Sequence, residues 1–268
     1  MNWLSPLEIP LIRNALLGIV FAGGTMSLLG VMVLTLSLTG LRFTLMHVGL
    51  LGAALSMSVG ANPTLGAFVL IMLVSVFMGT LGDKVKLSAS SLSGFFMTGS
   101  LALAFIILSK AEVPAMEVFG IFAGSILILS TVDFAMIILL GLVIVAVYIV
   151  GYREIQLILL DKELALTLGV PVGKVNILMF LLLGAGVALA LRLVGALLVD
   201  AVILLPAMAA LPLASGLKQA LVLTSLFGIT AAAGGFLLAL YFDLPIGSSV
   251  ALLGAVLLGF SYIIQRRK

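Results

Sequence analysis

Residues 161–169, Asp-Lys-Glu-Leu-Ala-Leu-Thr-Leu-Gly, interrupt a chain that otherwise consists largely of long apolar runs. Many of these runs are long enough to cross a hydrocarbon core of ~30 Å, which takes roughly 20 helical residues. The 268 residues are 63% hydrophobic and only 9% charged, which leaves too little polar surface for a water-soluble domain. The sequence therefore predicts an integral membrane protein in which a short polar segment lies outside the bilayer.

The apolar runs show neither the strict alternation nor the short polar turns of a membrane β-barrel. We therefore expect an all-α polytopic bundle, a single transmembrane domain over residues 1–268 with eight or nine spans. The first span should be retained, because residues 1–12 lack the basic start and apolar core of a signal peptide. The predicted spans cover about 12–37, 43–60, 63–81, 92–109, 132–151, 174–193, 196–214, 219–242 and 247–264.

The basic residues predict the orientation, since short cytoplasmic loops of membrane proteins carry an excess of Lys and Arg. If the spans alternate, most basic residues fall in loops on one side of the membrane, and the loops on the other side hold mainly acidic residues. Glu8 and Arg13 lie near the amino terminus and leave its side undetermined. We expect a multi-pass protein of the cell membrane with a cytoplasmic carboxyl terminus. The residues that fall on the cytoplasmic side are Lys84, Lys86, Arg153, Lys162, Lys174, Lys218 and residues 266–268.

Several function classes are excluded or unsupported by the sequence. The chain has no cysteine, which excludes disulfides and thiolate metal sites. It has no phosphate-binding G-x-x-x-x-G-K-[ST] loop, and its longest stretch outside the membrane, about 152–173, is too short for an ATPase domain. An intramembrane enzyme lacks support, because neither H-E-x-x-H nor G-x-S-x-G occurs. We expect no cofactor bound by this chain and no nucleic-acid partner.

Two segments read as helices that are too short to cross the membrane. Residues 119–129 are apolar but only eleven long, which predicts a re-entrant or interfacial piece on the outer side.

The other segment is residues 160–169, where Asp161 stands at an N-cap position, Gly169 is a stop and Pro171 follows. Leu160, Leu164 and Leu168 lie four apart and form one apolar stripe. Such a helix is suited to docking in a groove of a soluble partner, and the alternative is a helix that lies on the lipid surface.

Four motifs in register resemble one known family. Residues 161–169 fit the pattern D-x-E-x-A-x-x-x-G, and a span and then LVGALLVDAVILLPAMAA at 193–210 follow them. With VFGIFAGSILILSTVDF at 118–134 and YFDLPIGSS at 241–249, the chain resembles the membrane subunit of metal-type ABC transporters, the zinc, manganese and iron permeases.

This resemblance implies an importer with several partners. These would be a second permease copy or a paralogue, two cytoplasmic ATP-binding subunits, and an extracytoplasmic metal-binding protein. The segment at about 160–169 would be the coupling helix that sits in a cleft of the ATPase. The residues that the resemblance assigns to coupling are Asp161, Glu163, Leu164, Ala165, Leu168 and Gly169.

The expected metal site departs from the family pattern. LRFTLMHVGLLGAAL at 41–55 is similar to the family's G-D-x-x-S-H-x-x-L-P-G, but Phe43 replaces the aspartate, Met46 the serine and Leu51 the proline. His47 is retained, and Asp200, inside the apolar run of 193–210, could be a relocated carboxylate. The resemblance thus implies His47 and Asp200 as candidate ligands of the transported zinc, manganese or iron.

Both candidates have structural alternatives. An ionisable residue within a span typically faces the bundle interior or a water-filled path. Asp200 could instead form a salt bridge with Arg192, and His47 could hydrogen-bond a backbone carbonyl. The predicted spans also place the two residues some 15 Å apart in height at ~1.5 Å per residue. Either a span is broken or shifted, or the two residues belong to separate sites along one transport path.

Glycines and one proline interrupt several of the apolar runs, and each interruption has two possible roles. Interruptions at Gly23-Gly24, Gly49 with Gly52, Gly184 with Gly186, Pro206 and Gly234-Gly235 could unwind helices beside a cavity, although close packing is the better expectation for each. Asp133 and Asp243 suit helix capping. A secondary transporter that works without an ATPase is the alternative function, and the metal and the identity of the second permease subunit stay open.

Overall fold

The computed structural model describes residues 9–81, 89–111 and 130–266, and all regular secondary structure in these residues is helical. Eight helices are long and apolar enough to cross a membrane. The all-α, polytopic fold predicted from the sequence is therefore confirmed. In chain order the helices are α1 (Pro10–Thr35), α2 (Thr39–Ser58), α3 (Pro63–Leu81), α4 (Ala89–Lys110), α5 (Thr131–Val150), α6 (Tyr152–Leu160), α7 (Lys162–Thr167), α8 (Val172–Val194), α9 (Ala196–Val199), α10 (Leu205–Ala210), α11 (Leu217–Phe242) and α12 (Ile246–Gln265).

The expected span at 196–214 is the one that differs from a regular helix. Gly195, at φ +85°, separates it from α8. Between α9 and α10 lies a π-helical turn, Asp200–Leu204, in which the Leu205 N–H bonds the Asp200 carbonyl, and a 3₁₀ turn, Leu211–Leu213, follows α10. Pro206 explains the widened turn, because proline has no N–H to donate and its ring clashes with the carbonyl four residues earlier.

The chain divides into two compact units. One contains α1, most of α5 and the chain from Leu193 onward. Within it, Gly23 of α1 and Gly228 of α11 bring their backbones into direct contact. The Tyr148 hydroxyl of α5 donates a hydrogen bond of 2.9 Å to the Leu28 carbonyl of α1. Small residues thus let these helices approach closely, which is the packing alternative expected at Gly23.

The other unit contains α2, α3, α4, α6, α7 and α8. Gly52 of α2 lies against the backbone of Gly66 in α3, and Gly184 of α8 lies against Ser75 of α3. Both α2 and α8 run through their glycines without a break, so close packing rather than unwinding is the role of these residues as well. The single domain predicted for the whole chain stays a prediction.

Capping explains the two acidic residues at the ends of spans. Asp133 forms a capping box with Ser130, whose hydroxyl donates to the Asp133 carboxylate at 2.7 Å and accepts the Asp133 N–H at 3.2 Å. Asp243 ends α11 in the left-handed conformation, at φ +54°. The re-entrant segment predicted at 119–129 lies outside the described residues.

Candidate transport and coupling sites

The polar interruption forms a short helix, α7, with a complete N-cap. Asp161 has extended backbone geometry, and its Oδ1 accepts the N–H of Glu163 at 2.8 Å and of Leu164 at 3.1 Å. These bonds satisfy two of the four N–H groups that a helix leaves unpaired at its start. The N-cap predicted at Asp161 is confirmed.

The other end of α7 is closed by a Schellman motif. Gly169 takes φ +79°, a left-handed conformation that glycine adopts without strain. Its N–H bonds the Leu166 carbonyl at 3.0 Å, and the Val170 N–H bonds the Ala165 carbonyl at 3.0 Å. The sequence thus fixes both the first and the last residue of this six-residue helix.

One side of α7 is anchored within its own unit. Ala165 is fully buried and packs with Ile158 of α6 and Val172 of α8. Of the residues predicted for coupling, Ala165 thus faces the interior of the segment. A larger side chain at this position would push α7 away from α6 and α8.

The opposite side of the segment is exposed. Leu160, Leu164 and Leu168 are 75%, 43% and 57% accessible, so all three leucines of the predicted apolar stripe are exposed. Leu160 is the last residue of α6 rather than the first turn of α7, because the Asp161 N–H still bonds back to the Leu157 carbonyl at 2.9 Å. The prediction of one stripe on one helix is thus wrong for Leu160, because the extended backbone of Asp161 separates Leu160 from α7, and only Leu164 and the C-cap residue Leu168 keep the helical spacing.

His47 lies on α2, where its Nδ1 is 2.7 Å from the Phe43 carbonyl oxygen. A carbonyl only accepts, so Nδ1 carries the proton and Nε2 of the neutral ring is an acceptor. This bond is the structural alternative expected for His47. It also leaves Nε2 without a proton, which is the state in which a histidine nitrogen binds a metal.

Five residues of α2, spaced four apart, form the least buried strip of an otherwise mostly buried helix. We call them the α2 stripe, and they are Thr39, Phe43, His47, Leu51 and Leu55.

Beside the α2 stripe lies Arg42, which is 1% exposed. Its guanidinium carbon stands 4.2 Å from the centre of the Phe43 ring, and its Nη1 is 3.8 Å from the sulfur of Met46. Arg42 was not among the residues predicted from the sequence. The signal that could have identified it is a charged residue at the fourth position of a membrane helix.

Asp200 is half-buried and begins the π-helical turn. It belongs to the unit that contains α1, whereas His47 belongs to the unit that contains α2. Within residues 9–81, 89–111 and 130–266, no three His, Asp or Glu side chains are grouped closely enough to hold a metal ion. The roles of His47 and Asp200 as ligands, and the ion pair of Asp200 with Arg192, stay predictions.

The eight apolar helices, the interrupted helical segment between α8 and α11 and the capped helix α7 define an all-helical, multi-pass membrane protein. The model of the ABC 3 transport family matches residues 8–265, and the chain belongs to this family. It is thus a permease subunit of the ABC transporter type.

Similar proteins extend over nearly the whole chain. The manganese transport system membrane protein MntC of Halalkalibacterium halodurans is 23% identical over 257 residues, 96% of this chain and 88% of the relative. The high-affinity zinc uptake system membrane protein ZnuB of Haemophilus influenzae is 24% identical, covering 89% of this chain and 92% of the relative. Among solved structures, a chain of PsaBC from Streptococcus pneumoniae in complex with Fab superposes with a TM-score of 0.82 at 25% identity, covering 97% and 94% of the two chains.

Proposed function

We propose that this chain is the membrane-spanning subunit of an ATP-driven importer for a divalent transition metal ion, manganese, zinc or iron. Family membership supports the class, and the names of relatives such as MntC and ZnuB support manganese or zinc. Iron is kept because the resemblance of the sequence motifs includes iron permeases. The metal would pass from an extracytoplasmic binding protein through a pair of permease subunits into the cytoplasm.

The observation that carries the ATP-driven mechanism is the geometry of α7. Caps at both ends fix the helix, Ala165 anchors one side, and Leu160, Leu164 and Leu168 expose apolar surface on the other. Burial of exposed leucines in a groove of a soluble partner is a standard mode of helix recognition. An ATP-binding subunit that closes on this helix would move α6 and α8 with it, because all three share one apolar cluster.

The orientation follows from the same assignment. If α7 meets a cytoplasmic ATPase, Lys174 at the start of α8 and Lys218 at the start of α11 both fall on the cytoplasmic side. The chain must then cross once between α8 and α11, so the broken segment from Ala196 to Leu213 is a ninth crossing. At ~1.5 Å per residue its 18 residues reach about 27 Å, close to the thickness of the hydrocarbon core. The carboxyl terminus would then be cytoplasmic.

Co-purification tests the proposal. The chain is expressed with the genes that neighbour its own, extracted in detergent and reconstituted into proteoliposomes with the binding protein loaded with Mn²⁺, Zn²⁺ or Fe²⁺. We expect an ATPase subunit to remain bound and one metal to stimulate its hydrolysis. Recovery of the chain alone, with uptake that needs no ATP, would replace the proposal with the secondary-transporter alternative.

A further inference from the structure

The segment that contains α6 and α7, which we call the coupling segment, follows α5 with a single residue between them. α5 ends at Val150 and α6 begins at Tyr152. The intervening Gly151 already takes part in α6, because its carbonyl accepts the Ile155 N–H at 2.9 Å. Consecutive Cα atoms are about 3.8 Å apart, so a connection of one residue has little slack. A partner that displaces the coupling segment must therefore also move the end of α5.

The end of α5 is held to α1 by a side-chain hydrogen bond. Tyr148 stands two residues before the end of α5 and is 3% exposed, and its hydroxyl donates to the Leu28 carbonyl of α1 at 2.9 Å. At Gly141 of α5, an added Cβ would overlap the ring of Phe21 in α1, so the two helices also pack closely there. A movement of the end of α5 thus acts on α1 at Leu28.

The helix α1 in turn contacts the π-helical turn that begins at Asp200. Gly30 follows Leu28 by two residues, which is slightly more than half a turn of helix. Gly30 lies against the backbone carbonyl of Ile203, the fourth residue of the π-helical turn, and against the Cβ of Ala207 in α10. The same short piece of α1 therefore touches both the end of α5 and the turn.

The parts of this series leave little room to absorb a movement. The Tyr148 ring is enclosed by protein, and Gly30 has no side chain whose rotation could make space at the Ile203 carbonyl. Packed helices and buried hydrogen bonds of this kind carry coupling between distant sites. A shift of α1 would thus reach the turn and change the direction of Asp200, its first residue.

We propose that Tyr148 is a positioning residue for transport, which passes the movement of the coupling segment through α1 to the π-helical turn that carries Asp200. Its hydroxyl holds α5 and α1 together where the movement enters, and Gly30 delivers the movement to the Ile203 carbonyl. Tyr148 acts through α1 and needs no contact with the transported ion. This inference rests on the proposed function, since it concerns how ATP hydrolysis on the partner is linked to the metal path.

Tyr148→Phe tests the inference, because it keeps the buried ring and removes only the hydroxyl. The variant is purified with its ATPase subunit, reconstituted into proteoliposomes and supplied with the binding protein loaded with ⁵⁴Mn²⁺ or ⁶⁵Zn²⁺. We expect binding of the ATPase and the rate of hydrolysis to stay near those of the wild type. The number of metal ions taken up per ATP hydrolysed should fall about threefold or more, within the range of coupling that such contacts carry. An unchanged ratio would overturn the inference.

Ser261→Ala is the matched control. Ser261 is 1% exposed, and its hydroxyl donates to the Ala209 carbonyl, which joins α12 to α10 without involving α1 or α5. Both variants thus lose one buried hydroxyl that bonds a backbone carbonyl, and both should lose a similar amount of thermal stability in detergent. Only Tyr148→Phe should lower the uptake per ATP. A similar fall in Ser261→Ala would overturn the inference, because the effect of Tyr148 would then be one of general packing.

A double-mutant cycle tests whether Tyr148 and Gly30 act in one series. Gly30→Ala should also lower the uptake per ATP, and the double variant should fall little further, since one broken link already interrupts the series. Effects that multiply would show that the two residues act independently and would overturn the series. If Gly30→Ala fails to fold, insertion of two glycines after Gly151 takes its place, because a longer connection lets the coupling segment move without α5.

The proposed function has a separate readout, which is stimulation of ATP hydrolysis by the loaded binding protein in the wild type. Normal stimulation together with an unchanged ratio in Tyr148→Phe would remove the inference and leave the importer. Absence of stimulation by Mn²⁺, Zn²⁺ and Fe²⁺ would remove the importer itself.

Discussion

Gly30 of α1 lies so close to the backbone carbonyl of Ile203 that no side chain fits between them. The contact joins the most deeply buried helix of its unit to the π-helical turn that begins at Asp200. A carbonyl in a widened turn is thus covered by a neighbouring backbone rather than by lipid, which is how irregular backbone is tolerated at membrane depth.

Gly30→Ala should destabilise this contact. The added methyl group would meet backbone atoms that cannot rotate away, and overpacking of this kind costs about 1–3 kcal/mol. We expect the midpoint of thermal inactivation in detergent to fall by a few degrees. Gly99→Ala is the control, because a Cβ at Gly99 in α4 meets nothing within 4 Å. Equal midpoints for the two variants would show that the contact of Gly30 with Ile203 contributes nothing to stability.

Asp161→Ala should loosen the start of α7. Two N–H groups would lose the carboxylate that accepts them, at a cost of about 1 kcal/mol. The frayed helix should transmit ATPase closure poorly, so we expect less metal uptake per ATP hydrolysed while the amount of protein in the membrane is kept. Asp161→Asn retains a capping oxygen and should behave almost like the wild type. A wild-type ratio of uptake to hydrolysis in Asp161→Ala would contradict this role.

Leu168→Ser should weaken docking of the ATP-binding subunit, whereas Leu166→Ser should not. The two leucines are 57% and 56% exposed, but only Leu168 lies on the stripe with Leu164, four residues away. Removal of a leucine that becomes buried in a groove costs about 1.5–3 kcal/mol, which corresponds to a loss of affinity of roughly tenfold or more. Pull-down of the ATPase at graded concentrations measures this loss. The same loss in both variants would show that docking does not follow the stripe, and no loss in either would point to a helix that rests on lipid.

Glu163 is tested together with Leu164, by metal uptake and ATPase stimulation. As the acidic residue in the first turn of α7 it stands near the positive end of the helix, where a carboxylate stabilises by about 0.3–1 kcal/mol. Combined replacement of Glu163 and Leu164 by alanine should uncouple transport from hydrolysis in a protein that still folds in the membrane. Unchanged uptake and unchanged ATPase stimulation would remove the coupling assignment of α7.

Asp200→Asn should abolish metal uptake if the carboxylate lines the transport path. The amide keeps the shape of the side chain but lacks the charge that attracts a cation. Asp243→Asn is the control, since Asp243 caps the carboxyl end of α11 and should tolerate the change. Uptake of radiolabelled metal into proteoliposomes measures both variants. Near-normal uptake in Asp200→Asn would favour a structural role, such as the ion pair with Arg192.

The spans and the caps could be predicted from the sequence because their causes are local. Long apolar runs specify crossings whatever packs against them, and Asp161 and Gly169 act on backbone groups within a few residues of themselves. The sequence also predicts an interruption of the helix at Pro206. It could not show that the effect would be one widened turn beginning at Asp200, because that depends on how Gly30 and Ile203 meet.

The candidate site was less predictable for a different reason. His47 stood out as a lone ionisable residue in a span, but which residues flank it on the exposed side of α2 depends on what α3 and α4 cover. The burial of Arg42 and its contact with the Phe43 ring likewise follow from tertiary packing. Spacing alone placed Leu160 in the coupling helix, whereas the hydrogen bond from Asp161 to Leu157 assigns it to the helix before.

The π-helical turn at Asp200–Leu204 amounts to one extra residue in the register of a helix. Each residue of an α-helix turns the chain by about 100°, so everything beyond the turn faces a direction that an uninterrupted helix would not give it. Deletion of a single residue there would restore regular winding and rotate Asp200 away from its present relation to α10 and α12. Within the family, an insertion or deletion between Gly195 and Pro206 therefore changes the direction in which later side chains face as well as the length of the segment. A sequence alignment through this stretch compares side chains on different helix faces unless the extra residue is counted.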